Sequence, residues 1–446
     1  MTTALLGTAI LQFTKAEGRS KNVVNRRSIF LFVAACILLL LAGCTRGLVD
    51  GQTSTGAGNI AAINHVIFML QENRSFDTYF GQLNAYRQSQ GLPPSVDGLP
   101  ANAANPSDEG TMVTAFKLNT LCIENVSPAW LESHGNYNRW DANGPALLDG
   151  FVHTAEGFAK FSGFKDTQGR RAIGYYDASD LPYYYFMATA FATSDRWFAP
   201  IPANSPPNRI AAFAATTQGH AHEPLQELTT PTIFHRLSAA GISWKIYYTD
   251  VISSGFPADS LDNYWPTFAK AHSGNIVPLS QYFTDVSNGT LPAVAFIESG
   301  YFSGRDEHPG SGENIQAGQQ YVASLMNALM ASPSWKDSVF ILSYDESGAT
   351  YDHVVPMNAV QPDGIRPVDL KPPDPPGDFT RTGFRVPLIV VSPFTRKGYV
   401  SHTSADHTAI LRFIEKRWRV SALTKRDAAQ TDMTEFFNFN NPSWMT

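Results

Sequence analysis

Four short stretches of this chain are apolar at nearly every position: His65 to Leu70, Ala293 to Ile297, Val339 to Leu342 and Val386 to Val391. A strand with one wet face alternates polar and apolar residues. A run without alternation must be covered on both sides, which suits strands buried in a parallel sheet. Helical patterns lie between these runs. Ile315 to Met330 places Tyr321, Val322, Leu325, Met326 and Leu329 on one stripe, and Thr408 to Trp418 does the same with Ile410, Leu411 and Ile414. Strands alternating with helices predict an α/β fold of three layers, a mostly parallel central sheet flanked by helices. Ligands in such sheets bind beyond the carboxyl ends of the strands, where Glu72, Glu298, Asp345 and Glu346 fall.

The 446 residues, 43% of them hydrophobic, can bury one large core. Neither an internal repeat nor a low-complexity linker follows the first sixty residues, which predicts one domain over 61–446. A formal net charge of -6 leaves no basic footprint for nucleic acid. The stretches Gln82 to Thr111 and Met357 to Asp378, rich in Gly, Pro, Asn and Asp, are expected to be irregular loops around the site entrance or at its periphery.

The amino terminus carries a separate message. Arg26 and Arg27 precede the apolar run Ile29 to Ala42, which ends in Leu41-Ala42-Gly43-Cys44. A basic flank, a short apolar stretch and small residues before a break are the layout of an export signal. The ending resembles a lipobox, which predicts a lipoprotein signal peptide over 1–43 and lipid on Cys44. The Gly/Ser/Thr-rich segment 44–60 would be a polar tether, and the chain would be exported to the cell envelope and lipid-anchored to the membrane. The alternative is an uncleaved membrane helix. Of Cys36, Cys44 and Cys122, only Cys122 would remain unmodified in the mature chain, so no internal disulfide is expected. Cys122 itself is expected to be a small buried residue.

Four groups of residues carry candidate chemistry. Glu72-Asn73, directly after the first strand, offer a carboxylate beside a carboxamide, two oxygen ligands for a hard cation. Asp345-Glu346, directly after the third apolar run, repel each other unless a cation or a proton lies between them. Ser205 stands before a helical pattern, Ile210 to Thr216, with Arg209 one turn on. It is either a plain N-cap or a hydroxyl at a phosphate-favouring helix start. His134, His308, His353 and the pair Asp406-His407 could supply hydrogen bonds and protons to a phosphate.

Taken together the stretches resemble the bacterial phosphoesterase family of phosphatidylcholine-type phospholipases C and related acid phosphatases, within the alkaline-phosphatase-like superfamily. The matching segments include Glu72 to Asp77, Ser133-His134, Asp149-Gly150-Phe151, Pro207-Asn208-Arg209, Asp306 to Pro309, Tyr344-Asp345-Glu346, Tyr351-Asp352-His353, Phe384 to Pro387 and Asp406-His407. The resemblance implies that Glu72, Asn73, Asp345 and Glu346 hold one divalent metal ion beside the nucleophile Ser205. Calcium, magnesium, manganese, zinc and iron stay open. It implies that His134 and His308 contact the phosphate and manage protons, with Arg209, Asp352, His353, Asp406 and His407 around them. Ser205 stands where the phospholipase branch usually has threonine and the acid-phosphatase branch serine. Two departures stand out: Ser347 and Ala349 replace the usual histidine and glycine after the acid pair, and Ala203-Asn204 replace the usual Gly-Pro before the nucleophile.

The implied activity is metal-dependent hydrolysis of phosphate esters through a phosphoserine intermediate. A phospholipase C releasing diacylglycerol is the alternative among enzymes. A non-catalytic surface lipoprotein on the same fold is the alternative of another class. The expected partners are a phosphate-ester small molecule or phospholipid, and the membrane through Cys44.

Overall fold

The computed structural model describes residues 59–255, 257–310 and 314–445. The signal sequence, Cys44 and most of the tether lie outside these residues.

Eight strands form the central sheet: β1 His65–Gln71, β2 Ala192–Ser194, β3 Trp244–Tyr248, β4 Ile276–Pro278, β5 Val294–Ile297, β6 Ser338–Tyr344, β7 Leu388–Val391 and β8 Tyr399–Ser401. Their order across the sheet is β8-β2-β7-β6-β1-β5-β3-β4. β1 is central and parallel to both neighbours, Val66 standing opposite Val294 on one side and Val339 on the other. β7 alone runs against the rest, antiparallel to β6 and to β2. All four apolar runs are therefore strands of one sheet, and the mostly parallel arrangement is as the sequence predicts.

Both faces of the sheet are covered. Phe68 of β1 and Phe296 of β5 are in register and lie on one face. There they meet Phe213 of the helix Ser205–Ala214, at ring distances of 6.3 and 4.9 Å. The next positions along the same strands point the other way. Tyr247, opposite Ile297, packs on Tyr282 of the helix Leu279–Asn288. The Tyr282 hydroxyl in turn donates to the Leu325 carbonyl of the long helix Ile315–Met330. This two-sided burial is why the strands carry no polar alternation.

Five helices bear on the site: α1 Phe76–Phe80, α2 Trp130–Tyr137, α3 Ser205–Ala214, α4 Ile315–Met330 and α5 Thr408–Trp418. α4 and α5 have the bounds their stripes predict. α3 starts five residues before its expected apolar pattern, because Pro206 and Pro207 occupy a first turn that needs no backbone N–H from them. The stretch from Gln82 to Thr111 is less irregular than expected, since it contains the helix Leu83–Ser89 and the strand Ala104–Pro106. That helix is two turns long, too short for a periodic signal. The Asn84 side chain fastens it by bonding both the N–H and the carbonyl of Val96. Met357 to Asp378 forms no helix or strand, in line with its composition. Cys122 is exposed, contrary to the sequence expectation. Thr120 fixes a tight turn there by donating to the Cys122 carbonyl and accepting from its N–H, which turns the thiol outward.

Candidate active site

The ends of β1 and β6 lie side by side, Gln71 opposite Tyr344. The pairing continues one step past the strands, where the Asp345 N–H donates to the Gln71 carbonyl and the Arg74 N–H to the Glu346 carbonyl. Two acidic segments far apart in sequence are thereby held against each other. The crossing is tight. Asn73 has a left-handed backbone (φ 58°), and a Cβ on Gly348 would stand 2.2 Å from the Asn73 carbonyl oxygen, so only glycine fits.

α3 brings Ser205 to this point. Asn204 is the N-cap and makes no side-chain cap bond, and Ser205 is the first helical residue. Its hydroxyl is directed at Glu72 Oε2 (3.0 Å) and Asn73 Oδ1 (3.1 Å) rather than at a helix N–H. The plain-cap reading of Ser205 therefore fails. Asn208 holds the preceding turn in shape, its amide donating to the carbonyls of Ala203 and Asn204 and accepting from the Ile201 N–H.

Arg209, one turn into α3, reaches back to the same acids. It bonds Glu72 and stands 3.5 Å from Asp345 Oδ2 and 3.7 Å from Glu298 Oε2. Burial works against its charge, yet the three carboxylates raise its pKa above the ordinary arginine value. Burial pushes Glu72 up, but Arg209 and His308 bring it below the usual carboxylate range. Asp345 is held well above that range by burial and the Glu72 charge, and Glu346 by burial and the Asp345 charge. One guanidinium does not balance these acids. Asp345 Oδ2 and Glu346 Oε1 are buried oxygens that accept no hydrogen bond from any described residue. An all-oxygen set with two unsatisfied carboxylate oxygens is what a hard divalent cation needs, so the residues present fit a metal ion.

His308 enters from the loop after β5. Its Nδ1 donates to the Pro309 carbonyl (2.6 Å), which leaves Nε2 facing the Asn73 amide nitrogen at 3.0 Å. With Asn73 Nδ2 on His308, Asn73 Oδ1 is turned toward Ser205. Glu72, Asn73, Ser205, Arg209, His308, Asp345 and Glu346 thus meet at one place. His134 bonds none of them. Its Nδ1 donates to the Trp130 carbonyl within α2, and its ring lies 4.3 Å from the Trp130 indole. Trp130 shares a small apolar cluster with Ala203, two residues before Ser205. Burial lowers His134 to about 4, so it is neutral near pH 7.

The outer residues belong to two buried ion-pair networks. Arg385 donates to Asp77 Oδ1 (3.0 Å) and Asp352 Oδ1 (2.8 Å), while His353 bonds Asp77 Oδ2 (2.7 Å) and Asp97 Oδ1 (3.1 Å). Asp77, Asp352 and His353 cluster closely enough to hold a cation themselves. The Arg385 guanidinium lies against two of these three residues and offsets their charge. Asp406 is committed to Arg426, which also donates to the carbonyls of Pro200 and Phe379 and so braces the loop leading to Ser205. His407 is fully buried with its ring 6.1 Å from Trp197, and burial lowers it to about 4.

Some contributors were visible in the sequence only in part. Glu298 has the strand-end signal, but nothing in the sequence pairs it with Arg209. Arg385 announces itself only as a lone cation before an apolar strand. A cavity of about 170 Å³ opens beside Glu72 and Arg209, with walls from Asp250, Asp259, Glu298, Tyr264 and Phe302. These come from Asp250, the helix capped by Asp259 and the segment after β5, with no common motif.

Comparison with known proteins gives the chain's family. The Phosphoesterase family profile matches residues 63–421. Phospholipase C B of Mycobacterium tuberculosis is 28% identical over 441 residues, covering 86% of this chain and 79% of that one. Non-specific phospholipase C1 of Arabidopsis thaliana is 30% identical over 415 residues, covering 85% and 72%. Among solved structures, a protein in the alkaline phosphatase superfamily from Vibrio parahaemolyticus matches at 13% identity and a TM-score of 0.36, covering 79% of this chain and 78% of that one. With its profile match spanning most of the sequence, the chain belongs to the Phosphoesterase family and is a phosphoric ester hydrolase.

Proposed function

We propose that the enzyme works by double displacement, with Ser205 as nucleophile and a phosphoseryl intermediate. The observation that carries this is the aim of the Ser205 hydroxyl, at the ends of two strands and away from its own helix. Glu72, Asn73, Asp345 and Glu346 would hold the metal. When bound, a divalent ion lowers the pKa of a neighbouring hydroxyl and offsets phosphate charge. Ser205 Oγ gives up its proton to solvent, attacks phosphorus and forms the ester while the P–O bond to the alcohol breaks. The alcohol oxygen takes a proton, for which we assign His308 as imidazolium: its Nε2, which accepts from the Asn73 amide at rest, takes a proton from solvent and passes it to the leaving oxygen. Burial keeps His134 neutral near pH 7, which suits it to hydrogen bonding rather than to proton donation. Water then attacks the phosphoserine and restores Ser205. The N-terminal turn of α3 and Arg209 supply positive potential for the phosphate.

The test is acid quench with phosphorus-labelled substrate followed by peptide mapping. We expect label on Ser205 and turnover reduced by orders of magnitude in Ser205→Ala, with the fold intact. Label elsewhere, or turnover in Ser205→Ala near that of the parent, overturns the mechanism.

A specific observation also favours the phospholipase reading named for the relatives. The cavity beside Glu72 combines three further carboxylates with the aromatic faces of Tyr264 and Phe302, and Asp259 Oδ2 in its wall is buried and unpaired. Such walls suit an organic cation joined to the phosphate, as in a phosphorylcholine ester. Faster turnover of p-nitrophenyl phosphorylcholine than of p-nitrophenyl phosphate supports this reading, and the reverse supports a phosphomonoesterase. We further propose that residues 61–446 are a single catalytic domain tethered through 44–60 to lipid on Cys44, which would keep the site close to a membrane substrate.

A further inference from the structure

The loop Arg305 to Pro309 is fastened to the end of β1 at every step. Gln71 Nε2 donates to the Arg305 carbonyl (2.8 Å), the Glu72 N–H to the Asp306 carbonyl (2.9 Å) and Arg74 Nη2 to the Glu307 carbonyl (2.6 Å). The Glu307 side chain then turns inward, away from His308, and is fully buried. Its Oε1 accepts from Tyr184 (2.5 Å) and Gln71 Nε2 (3.2 Å), and its Oε2 from Tyr79 (2.5 Å) and Tyr344 (2.8 Å). Four donors occupy the four lone-pair positions of the carboxylate. The three phenols come from three elements: Tyr79 from α1, Tyr184 from the helix Pro182–Ala190, and Tyr344 from the last position of β6, next to Asp345.

The chain bears costs to keep this arrangement. Glu307 has a left-handed backbone (φ 72°), which an unbranched acidic residue rarely adopts. α4 carries Gly318 in its first turn, where a Cβ would stand 2.2 Å from Glu307 Cγ. A glycine inside a helix is unfavourable, and here it makes room for this one side chain. A buried carboxylate that served packing alone would not need a reversed backbone and a carved helix.

We propose that Glu307 is a positioning residue. By locking itself to Tyr79, Tyr184 and Tyr344 it fixes the backbone from which His308 projects, and it ties that backbone to the strand end that carries Asp345. His308 Nε2 is thereby held 3.0 Å from Asn73. The inference rests on the reading of His308 as the proton donor to the leaving oxygen.

The experiment compares two esters with the metal-loaded, full-length enzyme: p-nitrophenyl phosphate, whose phenolate leaves with little help from a proton, and phenyl phosphate, whose phenolate needs one. A displaced general acid is felt on the second ester, whereas a smaller folded fraction lowers both alike. For Glu307→Gln we expect kcat/KM on phenyl phosphate, which reports the step in which the alcohol leaves, to fall about 100-fold, as a misplacement near 1 Å can cost, and kcat/KM on p-nitrophenyl phosphate to fall at least about tenfold less. Gly318→Ala, which keeps every hydrogen-bonding group and only crowds Glu307, should show the same bias, and it serves alone if Glu307→Gln fails to fold. The double variant Glu307→Gln with His308→Asn should be no slower on phenyl phosphate than His308→Asn alone. Equal losses on both esters in Glu307→Gln and Gly318→Ala, or additive losses in the double variant, overturn the positioning role. If His308→Asn itself slows both esters equally, the acid assignment of His308 fails, and this inference fails with it.

Discussion

Glu415 offers a stability measurement away from the catalytic chemistry. It sits on α5 with 1% of its surface exposed, and neither carboxylate oxygen accepts a hydrogen bond from a described residue. Burial and the adjacent Asp427 carboxylate raise it from 4.5 to about 9, against the pull of Arg412, whose Nη1 is 3.7 Å away. Asp427 accepts from the N–H groups of Leu423 and Thr424 and from the Thr424 hydroxyl. Glu415 is therefore protonated in the fold and ionised in the unfolded chain through the neutral range. A pKa raised by folding contributes stability that is complete below 4.5 and is lost as pH rises toward about 9. Each pH unit in that window costs about 1.4 kcal/mol, so the loss by about pH 7.5 is ~4 kcal/mol at most. Allowing half for Arg412 and solvent screening leaves ~2 kcal/mol. Glu415→Gln has nothing to titrate there, so the stability of the variant relative to the parent should climb by ~2 kcal/mol between about pH 5 and pH 7.5. Urea unfolding at several pH values, with a common m-value, measures it. The acids of the active site titrate identically in both proteins and cancel in the difference. Parallel stability curves for the two proteins would refute the protonated state of Glu415.

Asp345→Ala should lose both bound metal and turnover, because it removes one ligand and leaves Arg209 and Glu72 to re-pair; full metal content by elemental analysis would show that the ion is held elsewhere. Ala349→Gly should change stability by less than ~1 kcal/mol. Relief of a left-handed alanine (φ 51°) is worth ~1–2 kcal/mol, and it is offset by ~0.8 kcal/mol for a buried methyl and ~0.5–1 kcal/mol of chain entropy. A thermal shift larger than this sum allows would mean that the departure from the family's glycine has reshaped the loop. Cys44→Ala should leave the protein unlipidated or uncleaved, and mass spectrometry finding a mature start other than Cys44 would end the lipoprotein proposal.

The strands were legible because burial on both faces removes polar alternation, and the acids at their ends were legible because a charge directly after such a run has only the sheet edge to occupy. Ser205, Glu72 and Asp345 could be named from local pattern and resemblance together. The antiparallel course of β7 could not, since an apolar run has no direction. Nor could the roles of Asp352 and Asp406, where the choice between a phosphate and an arginine depends on which guanidinium the fold delivers: Arg385 for one, Arg426 for the other. Glu307 was visible only as a letter in a motif. Its three tyrosines lie at positions 79, 184 and 344, and no local window contains them together.

The central position of β1 bears on how the molecule comes into being. β1 is the first of the described strands, yet its neighbours are far along the chain, β5 beginning at Val294 and β6 at Ser338. Until residue 297 has emerged β1 has no native partner, its second edge stays open until residue 344, and pairing across such distances is intrinsically slow. The acidic cluster at the ends of β1 and β6 is therefore among the last features to form. A chain that must stay open this long is exposed to misassociation while it waits.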